Sequence, residues 1–425
     1  MKKISKELFN VGIGILMILF AIEQGYCASD VVKVVQHGPG KWQLMVNDNP
    51  YFIKGMVSNY TVVGDDPNNN TWRDWAILDI NNNGKIDVAY DSWVDKNYNN
   101  IQDEDELAIG DWQLLKDMGC NTLRIYQMPS EDKRINHLYN DSGKVTFNHP
   151  PNKKLFRELY ENYGIRVVVG HFFGEWTIGS GANWEDGTDY TDPQQRKNLL
   201  ECIRVMVEEH KDEPYTLMWM IGNENFTPMD HDNAEKNVEA FLSLVNEAAK
   251  LIKKLDPNHP VALCNWAQSY IKEIGALTPD VDIFGVNAYF GPGGFGRLWE
   301  IAKKYCDKPV LITEYGEVAL RNNRLDEEYQ ALYNKNCWQD IVKNSYGNEG
   351  TGNSIGGIVF SWSDQWFLAG QPNQHDKVST GTDLFSNVFG VEWFGLTGQG
   401  DGSKSPFLRQ LRKAYFTYKD IWNID

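Results

Sequence analysis

Short apolar runs alternate with longer amphipathic segments along most of the chain. The apolar runs are nearly continuous in Val, Ile and Leu, which is typical of strands that are covered on both faces. Eight runs of this kind predict strands over residues 51–56, 122–126, 165–173, 215–223, 261–266, 282–290, 309–315 and 357–364. Helical periodicity predicts helices over residues 109–118, 152–163, 192–211, 233–254, 297–304, 326–344 and 406–420.

The alternation of eight strands with helices predicts an α/β fold, a (β/α)₈ TIM barrel. An open doubly wound sheet is the alternative, but no Gly-rich phosphate loop follows the first strand. No Pro/Ser-rich linker divides the chain. We therefore expect a single barrel domain over residues 29–425, with a long insertion at 61–108 after the first strand.

This insertion contains two stretches with oxygen-bearing side chains at alternating positions, "DINNNGKID" and "DKNYNNIQDEDE". Such spacing resembles the calcium loop of an EF-hand, in which a glycine makes the sharp turn, as Gly84 would here. The candidate ligands are Asp79, Asn81, Asn83, Asp87, Asp95, Asn97, Asn99, Asp103 and Glu106. The first loop departs from the pattern with Tyr90 at the last-ligand position and Asp91 beside it, and the second has Asn100 instead of glycine. Structural Ca²⁺ is the expectation, and metal-free Asn/Asp-rich turns are the alternative.

The first residues of the chain have the order of a secretory signal peptide. Lys2, Lys3 and Lys6 precede an apolar segment, "LFNVGIGILMILFAI", and small residues follow around residues 27–29. A retained membrane anchor is the alternative, but the segment is short of the roughly 20 residues that span a bilayer. We therefore expect residues 1–28 to be a cleaved signal peptide and the protein to be secreted or periplasmic.

The net charge limits the classes of partner that we expect, and the spacing of the cysteines limits the kinds of site that they can form. The net charge is −17 and no basic block occurs, so we expect neither nucleic acid nor, after signal cleavage, a membrane to bind. We expect a monomer. The cysteines after residue 28 lie at positions 120, 202, 264, 306 and 337, and their wide spacing favours buried thiols over a zinc site, although one disulfide remains open.

Two of the predicted strands each end in a glutamate. "LMWMIGNENF" presents Glu224 after the fourth strand, and "PVLITEYGE" presents Glu314 at the end of the seventh. In a TIM barrel the C-terminal ends of the strands face the reaction site. Buried carboxylates are costly unless they are paired or used. An acid that protonates a leaving oxygen and a carboxylate that traps an anomeric carbon are the two groups that retaining glycoside cleavage needs.

These motifs resemble a known group of enzymes. "WMIGNEN" and "ITEYG" are similar to the acid/base and nucleophile signatures of the clan A glycoside hydrolases, and "FIKGM", "FSWSDQW" and "VEWFG" most resemble the barrel of glycoside hydrolase family 2. The resemblance covers residues 40–422. Family 2 enzymes usually carry β-sandwich domains before the barrel, for which this sequence has no room. Families 5 and 72, whose barrels are bare or nearly so, are clan relatives, so the family stays open at this point.

The resemblance implies roles for eight residues. Glu224 would be the acid/base, Glu314 the nucleophile, and Asn223 a donor to the 2-hydroxyl of the sugar. The other implied substrate-binding residues are Arg124, His171, Trp266, Tyr289 and Trp362. Arg124 and Tyr289 would keep Glu314 ionised, and Trp362 would form the floor of the site. The structural alternatives are an ion pair for Arg124, barrel core for the two tryptophans, and no substrate contact for His171.

The implied function is a secreted retaining glycosidase that hydrolyses O-glycosyl bonds of a β-linked oligo- or polysaccharide. No cofactor is needed for this chemistry. Three alternatives remain: a β-glucanosyltransferase with the same machinery, a non-catalytic carbohydrate-binding barrel, and a metal-dependent hydrolase that uses the acidic loops. The last is disfavoured because those loops contain no histidine.

Overall fold

Eight parallel strands close into a barrel in the computed structural model, which describes residues 29–58, 60–69, 71–139, 149–227, 233–376 and 390–424. The strands are β1 (Ile53–Val57), β2 (Thr122–Ile125), β3 (Arg166–His171), β4 (Thr216–Ile221), β5 (Val261–Trp266), β6 (Ile283–Asn287), β7 (Val310–Tyr315) and β8 (Ser354–Val359). Each strand pairs with the next in sequence, and β8 closes on β1. The TIM barrel prediction is confirmed. The predicted signal peptide lies outside the described residues.

A helix follows each barrel strand. They are α1 (Asp111–Met118), α2 (Lys153–Tyr163), α3 (Pro193–His210), α4 (Val238–Leu255), α5 (Ile271–Leu277), α6 (Leu298–Tyr305), α7 (Glu327–Lys343) and α8 (Lys413–Trp422). A single helical turn, Asn136–Tyr139, precedes α2. The sequence pattern did not predict α5, which spans only seven residues and contains Gly275, a poor helix former. Within the described residues, no helix has the length and apolarity needed to cross a membrane.

The N-terminal end of the barrel is covered by an antiparallel sheet that the sequence pattern did not predict. Its strands are Val32–Gly38, Lys41–Val46 and Asn49–Pro50. Apolar side chains of this sheet, among them Leu44, pack with barrel residues such as Leu217 and Ile355 in one buried cluster. Residues 32–50 therefore cover the N-terminal end of the barrel, and the barrel itself begins at β1.

A long connection joins β1 to α1 and lies beside the C-terminal end of the barrel. Its longest regular element is a single π-helical segment, Asp87–Asp91. The short strand Trp93–Val94 pairs with Leu408–Leu411, and a buried ion pair joins Asp111 to Arg409 at 2.7 Å. The strand pairing joins the insertion to the last part of the chain, and the ion pair joins α1 to the same segment.

The described cysteines, Cys120, Cys202, Cys264, Cys306 and Cys337, are all free, so none of them forms the disulfide that the sequence left open. All but Cys306 are buried, as expected for thiols that pack as small apolar groups.

Candidate active site

Glu314 receives hydrogen bonds from three side chains at the C-terminal end of the barrel. Nη1 of Arg124, from β2, lies 2.9 Å from Oε1, and the hydroxyl of Tyr126 donates to the same oxygen. The hydroxyl of Tyr289, two residues after β6, donates to Oε2 at 2.8 Å. Three donors from two strands therefore fix the orientation of the Glu314 carboxyl group.

The donors are themselves held in the protonated state. Burial raises the pKa of Tyr126 and of Tyr289 well above the ordinary tyrosine value, and the negative charge of Glu314 adds to both shifts. Burial alone would lower the pKa of Arg124, but Cys264, Tyr126 and Glu314 together hold it above the usual value. All three groups therefore remain donors over any ordinary pH range.

Glu224 follows β4 in a turn that needs unusual backbone angles. Gly222 has φ = +70° and Glu224 itself has φ = +55°, a conformation that few non-glycine residues adopt. Nδ2 of Asn287, the last residue of β6, donates to Oε1 of Glu224 at 2.5 Å. Strained backbone of this kind clusters at functional sites.

Asn223 connects the two glutamates. Its Oδ1 accepts hydrogen bonds from Nη2 of Arg124 at 2.8 Å and from Nδ2 of Asn287 at 3.1 Å. Its Nδ2 donates to Glu175 at 3.3 Å. The buried Glu175, which follows β3, thus orients Asn223, and the network fixes the positions of both candidate catalytic carboxyls.

Trp266 and His171, which were also predicted to bind substrate, differ from each other in their exposure. The ring of Trp266 is partly exposed and lies 6.2 Å from that of Tyr289, so it lines the mouth of the barrel. His171 has no exposed surface, and its Nδ1 accepts a hydrogen bond from the backbone of Phe173 at 2.8 Å. Burial lowers the pKa of His171 to about 3, so the ring is neutral. The prediction that His171 contacts substrate is not supported, because the loop at Gly179 covers its ring.

Trp362 also differs from its predicted position at the floor of the site. Strand β8 ends at Val359, earlier than expected, and the Trp362 side chain is only 2% exposed. Its ring packs against Tyr415 of α8 at 6.1 Å, in the apolar layer between barrel and helices. Phe360 takes the place at the strand end, because its ring contacts Phe394, which in turn contacts Tyr289.

The first acidic loop folds around Asp79. Its two carboxylate oxygens accept hydrogen bonds from the backbone of Asn83 and of Gly84, both at 2.9 Å. The amides of Asn81 and Asn83 donate to Asp91 at 3.0 and 2.7 Å. Asp91, rather than Tyr90, therefore closes this loop.

The second loop repeats the backbone contacts of Asp79 sixteen residues later, but its amides donate to Asp103, which lies only twelve residues after Asp91. Asp95 accepts hydrogen bonds from the backbone of Asn99 and Asn100 at 3.1 and 3.0 Å, and Asp103 accepts from the amides of Asn97 and Asn99 at 2.7 and 3.0 Å. Glu106 is buried and accepts from the backbone of Lys96 and Asp103.

Asp87, the remaining candidate ligand, is fully buried. Its Oδ2 accepts a hydrogen bond from Ile80, whereas Oδ1 has no hydrogen-bond partner. Burial raises its pKa, and the charges of Asp79 and Asp91 contribute. In the described parts of the chain, no group of three or more His, Cys, Asp or Glu side chains stands in position to hold a metal ion.

The sequence analysis did not predict Tyr126 and Asn287 as site residues, although the spacing of each from a predicted site residue indicates such a role. Tyr126 lies two positions after Arg124, and Asn287 lies two positions before Tyr289. Because side chains two apart along a strand point to the same side, both residues share a face with a predicted site residue.

Comparison with known proteins identifies the family. The family model of "Glycosyl hydrolases family 2, TIM barrel domain" matches residues 140–354, just over half of the chain. A β-glucuronidase of Streptococcus agalactiae is 26% identical over 275 residues, which are 60% of this chain and 40% of that protein. A mannan endo-1,4-β-mannosidase F of Aspergillus clavatus is 21% identical over 260 residues, 52% of this chain and 53% of that protein.

Solved structures share the fold. A β-D-glucuronidase of Dictyoglomus thermophilum has a TM-score of 0.54 at 15% identity, covering 93% of this chain and 54% of that one. A Bifidobacterium dentium β-glucuronidase has a TM-score of 0.55 at 16% identity, covering 92% of this chain and 49% of that one. The chain therefore spans about half the length, or less, of the relatives that it matches. On the match of the barrel model, the chain belongs to glycosyl hydrolase family 2.

Proposed function

We propose that this protein is a retaining β-glycosidase with Glu314 as nucleophile and Glu224 as acid/base. The observation that carries the proposal is the convergence of Arg124, Tyr126 and Tyr289 on Glu314. These donors hold one carboxyl group in place at the C-terminal end of the barrel, where a nucleophile would meet the anomeric carbon. Family membership and the β-glycosidase names of the relatives support the same reaction class.

Glycosylation begins when a carboxylate oxygen of Glu314 attacks the anomeric carbon of the bound sugar. Glu224 gives its proton to the departing glycosidic oxygen, so that the bond to the leaving group breaks as the glycosyl–enzyme bond forms. Glu224 then takes a proton from water, and the resulting hydroxide displaces Glu314 from the anomeric carbon. Asn287 donates to Glu224 and Asn223 bridges to Arg124, so the two carboxyls keep their relative positions through both steps.

The proposed substrate is a β-linked oligo- or polysaccharide. The names of the relatives cover glucuronides, mannan and galactosides, so sugar and linkage are left to experiment. The same machinery would serve a transglycosidase if a second sugar, rather than water, accepted the glycosyl group. We further propose that residues 1–28 direct secretion, on the strength of their charged, apolar and small-residue regions.

We also propose that the two acidic loops bind structural calcium. Two features support this: the same hydrogen-bond pattern recurs at Asp79 and Asp95, and Oδ1 of the buried Asp87 has no hydrogen-bond partner. A divalent cation would offset the mutual repulsion of Asp79, Asp87 and Asp91, which raises the pKa of Asp87. The metal would act on the stability of the insertion and would not take part in bond cleavage.

Product analysis tests the proposed reaction. Wild type and Glu314→Gln, which keeps the size of the side chain, are incubated with p-nitrophenyl β-glycosides and with β-glucans, β-mannans and β-galactans. Release of reducing sugar or p-nitrophenol by the wild type alone is expected. Chromatography with an added disaccharide acceptor separates hydrolysis from transfer. Equal binding of an oligosaccharide by both proteins, with turnover by neither, would instead indicate a carbohydrate-binding barrel.

A further inference from the structure

A cleft opens next to Tyr126, away from the carboxyls themselves. Its walls come from the insertion after β1, from the segment after β2 and from the end of β3, and its lining includes Trp72, Asp74, Tyr126, His149 and Phe172. The space between these walls, including the open mouth, measures about 520 Å³.

One wall of this cleft is aromatic. The rings of Tyr126 and Phe172 are stacked at 6.1 Å with an interplanar angle of 17°. Phe172 and Trp72 pack together around the buried Ile178. All three aromatic side chains are partly exposed. The Arg124 guanidinium lies over the Tyr126 ring at 4.2 Å, so Trp72 and Phe172 provide the aromatic surface that suits the C–H groups on the face of a pyranose ring.

The opposite side of the cleft is polar. Nε2 of His149 lies 3.0 Å from Oδ2 of Asp74, and the two side chains are 12% and 10% exposed. Among the lining residues described, no Lys or Arg is present. Since the lining contains the carboxylate of Asp74 and no Lys or Arg to bind an anion, the cleft favours hydroxyl groups over a carboxylate.

Hydrogen bonds of the residues that follow Trp72 hold this part of the insertion in place. Asp74 Oδ1 accepts from the backbone of Ala76, and Asn152 Nδ2 donates to the carbonyl oxygen of Ala76 at 2.9 Å. Next to Trp72, Arg73 forms two hydrogen bonds with the carboxylate of Asp65. A preformed aromatic wall loses little entropy when a ligand binds.

We infer that this cleft binds an uncharged pyranose unit of the substrate, adjoining the unit that is cleaved. The link to the reaction centre is Tyr126, whose ring forms part of the cleft while its hydroxyl donates to Glu314. Glu224, the group that would protonate the leaving oxygen, receives its hydrogen bond from β6, on another side of the site. The extra unit therefore lies on the nucleophile side, as the next sugar of the glycone. This inference rests on the proposed glycosidase function and adds that the enzyme prefers at least two sugar units.

The test compares matched aryl glycosides. Values of kcat/KM are measured for p-nitrophenyl β-glucoside and β-cellobioside, and for the corresponding mannose and galactose pairs, with release of p-nitrophenol as the readout. The wild type should favour one aryl disaccharide over its monosaccharide by about tenfold or more. Trp72→Ala should reduce this ratio to near one, and Trp72→Phe should retain part of it. Trp42→Ala, in the sheet at the other end of the barrel, serves as the control and should keep the wild-type ratio.

Each outcome has a separate meaning. A wild type that turns over both glycosides with a ratio near one, unchanged in Trp72→Ala, would overturn the cleft and leave the glycosidase function standing. A wild type that turns over none of these probes, and neither p-nitrophenyl β-glucuronide nor any of the polysaccharides named above, would overturn the proposed function. In that case calorimetric titration with cellobiose, mannobiose and galactobiose tests sugar binding by the cleft directly. Trp72→Ala must weaken binding about tenfold. Undetectable binding, or binding that the substitution leaves unaltered, overturns the inference. Phe172→Leu, which should also lower the ratio, covers the case in which Trp72→Ala fails to fold.

Discussion

Nη1 of Arg124 lies 2.9 Å from Oε1 of Glu314, and the two side chains are only 1% and 8% exposed. Removing one partner of a buried pair leaves the other charge uncompensated, at a cost of about 3–5 kcal/mol. Substitutions of Glu314 thus affect both chemistry and stability, and a test of the nucleophile has to separate the two.

Glu314→Ala is expected to lower kcat on an oligosaccharide by about 10⁴-fold or more, because no group remains to trap the anomeric carbon. Added azide should restore turnover of an aryl glycoside and yield the glycosyl azide, since the small anion fits the vacated space. The products are identified by mass spectrometry, and thermal melting records the change in stability. Failure of azide to rescue a variant that remains folded would contradict the nucleophile assignment.

Glu224→Ala should slow cleavage in proportion to the basicity of the leaving group. A general acid contributes about 10²–10⁴-fold, but only where the departing oxygen needs a proton. We expect a large loss with alkyl glycosides and oligosaccharides and a small loss in the glycosylation step with 2,4-dinitrophenyl glycosides. Pre-steady-state release of the phenol measures that step. Equal losses for every leaving group would argue against an acid at this position.

The first product should retain the β configuration at the anomeric carbon. The two displacements each invert this carbon, and they require carboxyl groups about 5–5.5 Å apart. Proton NMR of the reaction in D₂O, recorded before mutarotation, distinguishes the anomers. Early appearance of the α anomer would show a single displacement and exclude Glu314 as nucleophile.

Tyr126→Phe and Tyr289→Phe should each lower kcat/KM on an aryl glycoside by about 10- to 100-fold. Each substitution removes a hydrogen bond to the carboxyl group of Glu314, and a hydrogen bond to a charged group contributes about 1.5–3 kcal/mol. Steady-state kinetics measures the loss, and thermal melting shows whether the variants remain folded. Tyr346→Phe, on a ring stacked with His37 and remote from these contacts, is the control and should keep the wild-type kcat/KM.

Chelation of calcium should lower the melting temperature of the wild type. Asn at several ligand positions favours weak sites with Kd of about 10⁻⁴–10⁻³ M, and binding of about 1 mM calcium to the folded state alone then stabilises it by about 0.4–1.4 kcal/mol per site. Calorimetric scans with EDTA and with millimolar CaCl₂ measure the shift. Asp79→Ala combined with Asp95→Ala should abolish it, whereas Asp420→Ala, on the exposed face of α8, should not. Identical melting temperatures in both buffers would show that these loops are ordinary turns.

The local pattern of apolar and polar residues was enough to predict the barrel fold and the positions of Glu224 and Glu314 at the ends of its strands. Buried strands are recognised by continuous apolar runs, and the C-terminal ends of barrel strands converge on one face whatever the loops do. The placement of Glu224 after β4 and of Glu314 at the end of β7 therefore follows from strand order. So does the approach of Arg124 and Tyr289 to Glu314, because all of them occupy the same end of the barrel.

Other features depended on tertiary structure. Trp362 and Phe360 lie two residues apart in one apolar run, and only the pairing of β8 with its neighbours, which ends at Val359, decides which ring faces the mouth. The N-terminal sheet forms because the open end of the barrel offers apolar side chains to cover. The cleft beside Tyr126 requires Trp72 of the insertion to meet Phe172 of β3's end, residues that are 100 positions apart. Such contacts depend on burial and on strand register across the whole fold, so no local pattern in the sequence predicts them.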